Sequence, residues 1–408
     1  MTDNTSDLSD DIVQSELPQH DSPSSRKFRP WHKVRKQYIR EKQWNILIRR
    51  YIDNDMKKVP VSSNVSGDER ALDRHSGTLR CLAIPGDDLL DLRSLWNHIQ
   101  ETQFWIRYLG FNRHHGSNQP NTDVSIASND LNSKARVAKD SSVVHGPFQT
   151  IKSKSSKAYQ YLCDYGPFNV VNLDFCESLF PTSTKKTKEF VEYLDAILRL
   201  VEFQMHHQTN AWLLFVTTEV APREVDHDTL AKLCKPTIDN CQLHSEFRAE
   251  LQELLSTDVF DDGCGTINVG MLSESAIADL FGVAFGKLLL RLCNSSGRQG
   301  KVQMLQSHKY VINEDGKVSM LSLAYKMTPL MVPPIDPTGL STIDSQATSM
   351  NELDLALRMI KCVKGMSDVD VVLKEDIKLH EELLMSSASL METAGYDRDE
   401  YLKWASSH

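Results

Sequence analysis

Two short runs place polar side chains where a parallel sheet does its chemistry. Phe168–Pro181, FNVVNLDFCESLFP, is apolar up to Leu173 and then turns to Asp174. Ala211–Glu219, AWLLFVTTE, is apolar up to Val216 and then turns to Thr217, Thr218 and Glu219. One helix-length segment separates them. Buried parallel strands are unbroken apolar runs with polar groups at their carboxyl ends, and α/β sheets bind ligands at those ends. Asp174 is therefore the candidate catalytic residue. Thr217, Thr218 and Glu219 face the same crevice if the sheet is parallel, either as substrate contacts or as partners for loop N–H groups. A third run, Thr78–Ile84, stops at Pro85-Gly86-Asp87-Asp88. Gly86 there lets backbone approach a ligand with no Cβ in the way, and a tight surface turn accounts for the same residues.

The elements that must hold these groups follow in order. Leu89–Gln103 has helical spacing, and Phe104–Phe111 is a strand ending at Asn112, so residues 78–112 make one βαβ unit. Residues 113–142 are rich in Asn, Ser, Asp and His and are expected to be a long exposed loop. Phe190–Met205 carries its apolar residues on one helical face. Asp228–Leu255 and Ser273–Leu292 are helical. Val302–Ile312 and Val318–Met327 flank Asn313-Glu314-Asp315-Gly316, a hairpin signal that would close the sheet with an antiparallel pair. The expected fold is α/β, a mostly parallel Rossmann-like sheet over 78–328. A Pro-rich linker at 329–349 and a helical tail at 350–408 follow it.

Charge is distributed unevenly. The chain of 408 residues carries −9, but residues 1–25 hold six acids and no Lys or Arg, whereas residues 26–50 hold ten Lys/Arg against Glu41 alone. The acidic stretch has no apolar period and is expected to be disordered. The basic segment, within 26–60, interleaves Trp31, Val34, Tyr38, Trp44, Leu47, Ile48 and Tyr51 near helical spacing, with Pro30 suited to the helix start. One face would dock on the body. The other, with Arg35, Lys36 and Arg40, would contact nucleic acid phosphates or an acidic partner, or simply be a solvated face of a helix covering the sheet.

With 40% hydrophobic and 25% charged residues the chain is globular. It has no run of eighteen apolar residues, so no membrane span is expected, and no basic-then-apolar leader. Eight scattered cysteines without a CxxC pair point to reduced thiols and a cytoplasmic setting. Walker, GxSxG and HExxH motifs are missing, and His114, His115 and His145 lack spaced carboxylate or cysteine partners, so no metal is expected.

A parallel sheet closed by a hairpin resembles the class I S-adenosylmethionine-dependent methyltransferases. The sharpest likeness is to the tRNA guanine-N2 methyltransferases, whose fourth strand ends in Asp-x-Asp-Pro-Phe-Gly-Ser. Here Asn172-Leu173-Asp174-Phe175-Cys176-Glu177-Ser178 keeps the second Asp and the Ser. Asn replaces the first Asp, and Phe, Cys and Glu replace Pro, Phe and Gly. The resemblance implies S-adenosylmethionine as cofactor, held by Gly86, Asp87 and Asp88. Asn112 stands where an acid for the ribose hydroxyls is expected. The target amine would sit at Asp174, though Glu177 in place of Gly would crowd a base. Three functions are consistent with this: methylation of a nucleic acid; a degenerate relative that only binds nucleic acid; or a structural subunit docking a partner through 350–408 in a bacterial multi-gene system such as phage defence. The departures at 172–178 favour the last two; Asp174, Thr217 and Glu219 favour the first.

Overall fold

In the computed structural model, residues 27–57, 77–112, 121–179, 187–220, 227–256, 260–261, 266–267, 272–295, 299–311, 320–330 and 352–407 are described. The acidic stretch 1–25, the connector 61–76, the 313–316 turn and nearly all of the 329–349 linker lie outside them. The apolar runs form strands because both of their faces are covered. On Trp212–Glu219, Leu213 and Phe215 pack to one side of the sheet, and Trp212, Leu214 and Val216 to the other.

Among the described residues, nine strands make one mixed, mostly parallel sheet, and Phe260–Asp261 and Thr266–Ile267 form a separate antiparallel pair. The nine are β1 (Thr78–Ala83), β2 (Trp105–Asn112), β3 (Ser142–His145), β4 (Val170–Ser178), β5 (Trp212–Glu219), β6 (Gly300–Met304), β7 (His308–Tyr310), β8 (Met320–Pro329) and β9 (Ser367–Asp368). Their order is β9-β7-β8-β5-β4-β1-β2-β3, with β6 also paired to β8. β3, β2, β1, β4 and β5 are mutually parallel. β8 runs antiparallel to β5, β6 and β7. The expected closing hairpin is therefore an antiparallel arrangement in which the first arm is split into two short strands.

Among the described residues, twelve helices accompany the sheet. α1 is a continuous helix over 34–56, and α2 (Leu90–Ile99) and α3 (Thr122–Ser133) follow it. Next come α4 (Lys157–Tyr165), α5 (Thr187–His207), α6 (His227–Leu243), α7 (Ser245–Leu255) and α8 (Glu274–Ser295). The last four are α9 (Glu352–Lys364), α10 (Val369–Glu375), α11 (Ile377–Thr393) and α12 (Arg398–Ser406). α4 to α9 build the core on one face, and α1 to α3 with α10 and α11 build it on the other.

Two expectations need correction. Part of the supposed 113–142 loop is helix α3. Asn121 caps it by accepting from the N–H groups of Asp123 and Val124, and Val124, Ala127 and Leu131 reach the core. Three apolar residues at helical spacing suffice when the rest of the helix faces water; residues 113–120 lie outside the described residues. Residues 352–407 are also no appendage. Leu355, Met359, Ile360 and Val363 of α9 sit in the main core, and β9 extends the sheet by pairing with β7. Among the described residues, no helix is long and apolar enough to cross a membrane.

Candidate functional site

The sheet order reverses direction at β1, whose neighbours β2 and β4 lead away to opposite edges. Ligand sites of open α/β sheets lie at the carboxyl ends of strands flanking such a switch point. Here those ends carry Pro85–Asp88 after β1, Asn112 at the end of β2, Asp174 in β4 and Thr217 in β5. Asp174 and Thr217 are register partners across β4 and β5. The candidate residues thus lie together at one end of the sheet.

The crevice is filled from within by α1. This helix crosses the sheet face from the carboxyl ends toward the amino ends: Lys36 meets Asp174, whereas Tyr51 donates to the Ala211 carbonyl (2.7 Å) before β5 and accepts from Asn169 (3.2 Å) before β4. Its turns are of mixed type, α at Val34–Tyr38 and Ile46–Tyr51 and π at Ile39–Asn45 and Ile52–Met56. The wider turns match the five-residue step from Ile39 to Trp44, two residues that both face the core. Ile39, Trp44, Ile48, Tyr51 and Ile52 are each at most 3% exposed. Burial of such side chains stabilises by roughly 1.5–3 kcal/mol apiece.

The helix is also covered on its outer side, by α10 and α11. Arg35 pairs with Asp370, Gln37 donates to Ser386 (3.2 Å), and Ser386 donates to Glu41. Residues expected on a solvated cationic face therefore have internal partners. Lys36 Nζ is 2.5 Å from Asp174 Oδ1, and Arg40 Nε is 2.7 Å from Asp91 Oδ1, with the Arg40 and Asp91 side chains 3% and 8% exposed. Lys36 also lies over the Trp44 ring, 4.6 Å from its centroid. Burial acts to discharge this ammonium, but Asp174, Tyr310 and Asp91 around it hold its pKa above the usual lysine range. Burial likewise pushes the Asp174 carboxyl upward, with Lys36 acting against it. The contact lets the Lys36 ammonium and the Asp174 carboxylate each offset the other's buried charge.

Thr217 belongs to the same internal network. Its hydroxyl is 3.2 Å from that of Ser322, which donates to Gln43 Oε1 at 2.6 Å. Gln43 in turn donates to the carbonyls of Ser322 (2.9 Å) and Gln306 (3.0 Å). Thr218 accepts the loop N–H of Leu179 at 3.0 Å, the second of the two roles considered for these hydroxyls. Glu219 pairs in register with Ser178 and Met320 at the strand ends.

The loop after β1 is held from three sides. Leu89 adopts a left-handed conformation (φ 52°) at the start of α2, its N–H bonded to the Gly86 carbonyl. A bulky residue in that region stores strain of order 1–3 kcal/mol. Arg93 fastens the Asp88 carbonyl at 3.0 Å. Asp87 accepts from the amides of Asn121 (2.8 Å) and Asn112 (3.3 Å), and Asn112 also donates to the Pro85 carbonyl (3.0 Å). The Asp88 carboxylate accepts from the Tyr396 hydroxyl at 2.9 Å and faces His32 Nε2 at 3.7 Å. His32 Nδ1 accepts the N–H of Arg29, so its neutral form carries the ring proton on Nε2, toward Asp88. Burial lowers the pKa of this ring, with Asp88 opposing. Trp31 covers the loop: a Cβ on Gly86 would come 3.9 Å from Trp31 Nε1.

Two buried acceptors nearby have no partner among the described residues, Asn112 Oδ1 and Asn172 Oδ1. Trp44 Nε1 is an unpaired donor, and it shares with Asn172 the lining of a cavity of about 20 Å³. Trp31, His32, Gln43, Asp91, Ser322 and Tyr396 complete the site and were not singled out as site residues in the sequence. Asp91 lies only three residues past the candidate loop, the one signal that pointed at it. Of the histidines considered for metal, His145 contacts the Ser125 hydroxyl (3.2 Å), and His114 and His115 lie outside the described residues.

These features define a mixed α/β protein whose sheet switch point is packed with its own N-terminal helix. The chain belongs to the PP_RS20740-like family, whose family model matches residues 25–406. No curated protein matches it.

Proposed function

We propose that this chain is a methyltransferase-like α/β protein whose cofactor crevice has been taken over by its own N-terminal helix, making it a binding or assembly subunit rather than a catalyst. One observation carries this: at the switch point the Asp174 carboxylate is engaged by Lys36 of the same chain at 2.5 Å. The acids expected to hold S-adenosylmethionine are committed in the same way, Asp87 to two asparagines and Asp88 to Tyr396. With Trp31 over Gly86, these residues do not fit that cofactor, whose amino group and ribose need unshared acceptors. Support for the methyltransferase likeness itself is the strand order, a parallel sheet reversing at β1 and closed by an antiparallel β8.

The test is calorimetric titration of the intact protein with S-adenosylmethionine beside an Asp87→Ala variant. No heat from folded protein is the expected outcome. Micromolar binding that the variant loses would restore the enzyme reading. That second reading, methylation of a nucleic acid, has one observation in its favour. Among the described residues, Asn112 Oδ1 at the end of β2 and Asn172 Oδ1 within β4, beside the end of β1, are buried acceptors without donors, and leaving such groups unpaired costs about 1–3 kcal/mol each.

A further inference from the structure

Away from the switch point, and independent of the reading above, an open cleft of about 370 Å³ lies between the start of α1 and the α10–α11 pair. Val34 and Leu373 form its floor, each 7% exposed. Ile377 forms its lip and is 68% exposed, beyond what a lone surface residue of this size needs, with Val371 of α10 also 48% exposed. The rim is cationic. Arg35 is tied to Asp370, but neither Lys33 nor Lys374 has an ion-pair partner among the described residues, and His380 adds a titratable ring. An apolar floor with an aliphatic lip and unpaired amines fits an acidic segment that carries aliphatic side chains.

The chain contains such a segment. Asp7–Leu17, DLSDDIVQSEL, has four acids and no Lys or Arg, with Leu8 and Ile12, and Val13 and Leu17, each four residues apart. That spacing puts each pair on one face of a helical turn, with the acids beside them. The polypeptide leaves the described body next to the cleft: Phe28 stacks on Trp404 at 5.1 Å, and Ala405 lines the cleft. Ten residues from Leu17 to Lys27 reach up to roughly 33 Å, so the tether is ample. Tethering also supplies an effective concentration on the order of millimolar, enough to hold a weak contact.

We propose that this cleft is the docking site of the acidic segment Asp7–Leu17 of the same chain. The aliphatic side chains meet Leu373 and Ile377, and the carboxylates meet Lys33 and Lys374. The contact is salt-sensitive and open to displacement by an acidic peptide of another protein.

Hydrogen exchange of the full-length protein, read by mass spectrometry at two protein concentrations, tests this. Amides of residues 7–17 are expected to exchange about tenfold or more slowly than in an unstructured chain, equally at both concentrations. Lys33→Glu with Lys374→Glu should abolish that protection, and Asp10→Lys with Asp11→Lys should restore it in that background. Ile377→Asp, at a residue exposed enough to leave folding intact, should weaken it as well. Absent protection, or protection indifferent to these cleft variants, overturns the proposal. Protection that falls on dilution also overturns it, by assigning the cleft to the segment of a second copy.

Discussion

Lys36 and Asp174 are 138 residues apart in the chain and 2.5 Å apart in the fold, with side chains only 5% and 12% exposed. A candidate nucleic-acid contact and a candidate catalytic acid are thus each other's partner. The pair joins the N-terminal helix to the switch point of the sheet, and its burial makes each charge depend on the other.

Removing one member should therefore be costly. Lys36→Met leaves Asp174 buried and uncompensated, and a loss of about 3–5 kcal/mol is expected from urea unfolding. The double variant Lys36→Met/Asp174→Leu should recover at least half of that, since apolar replacement of a whole buried pair is often neutral. A loss below about 1 kcal/mol in the single variant would place the pair at the surface instead.

The C-terminal helices clamp the N-terminal segment. Tyr401 donates to the His32 carbonyl at 2.7 Å, and Phe28 stacks between Tyr396 and Trp404. Truncation after Thr393 should let trypsin cleave after Lys27 and Lys33 much faster than in the intact protein, with a lowered melting temperature. Unchanged cleavage rates and melting would mean that residues 394–408 are dispensable to the body.

Acid should weaken the protein through a buried histidine. His308 is fully buried with its Nδ1 2.7 Å from the Ser367 hydroxyl, and burial lowers its pKa to about 4. Its unfolded pKa is about 6.5, so between these values the unfolded chain binds the proton that the fold refuses. Stability is full above pH 6.5 and falls as pH drops toward 4, by roughly 3 kcal/mol for this ring; His32 shifts in the same direction. Urea unfolding at pH 7 and pH 5 checks this, and His308→Gln should flatten the slope between them.

Any affinity for nucleic acid must use the outward cations. Lys27 and Arg29 are exposed and Lys33 is half-buried, whereas Lys36 and Arg40 are 4% and 2% exposed. Changing Lys27, Arg29 and Lys33 to Gln should reduce the salt slope of oligonucleotide binding by up to about 0.9 per lost contact on duplex DNA. Arg40→Gln should act on folding instead, through Asp91. A salt slope that survives the triple change would move the contact elsewhere.

What the sequence determined by itself was whatever local periodicity and strand ends encode. Unbroken apolar runs specified β1, β2, β4 and β5, because strands covered on both faces need no polar alternation. The same runs located Asp174, Thr217 and the Gly86–Asp88 turn at one end of the sheet. The helical spacing of Trp31–Tyr51 announced α1, though not its π turns, whose five-residue step differs little from an α pattern over one turn. Only the tertiary structure decided which way the charges of α1 point. A cation on an amphipathic helix is solvated or paired according to what lies opposite, and Lys36 finds Asp174, Arg40 finds Asp91 and Arg35 finds Asp370 across separations no local pattern spans. The middle of the basic segment, with Lys36 and Arg40, is a buried layer where α10 and α11 pack over α1.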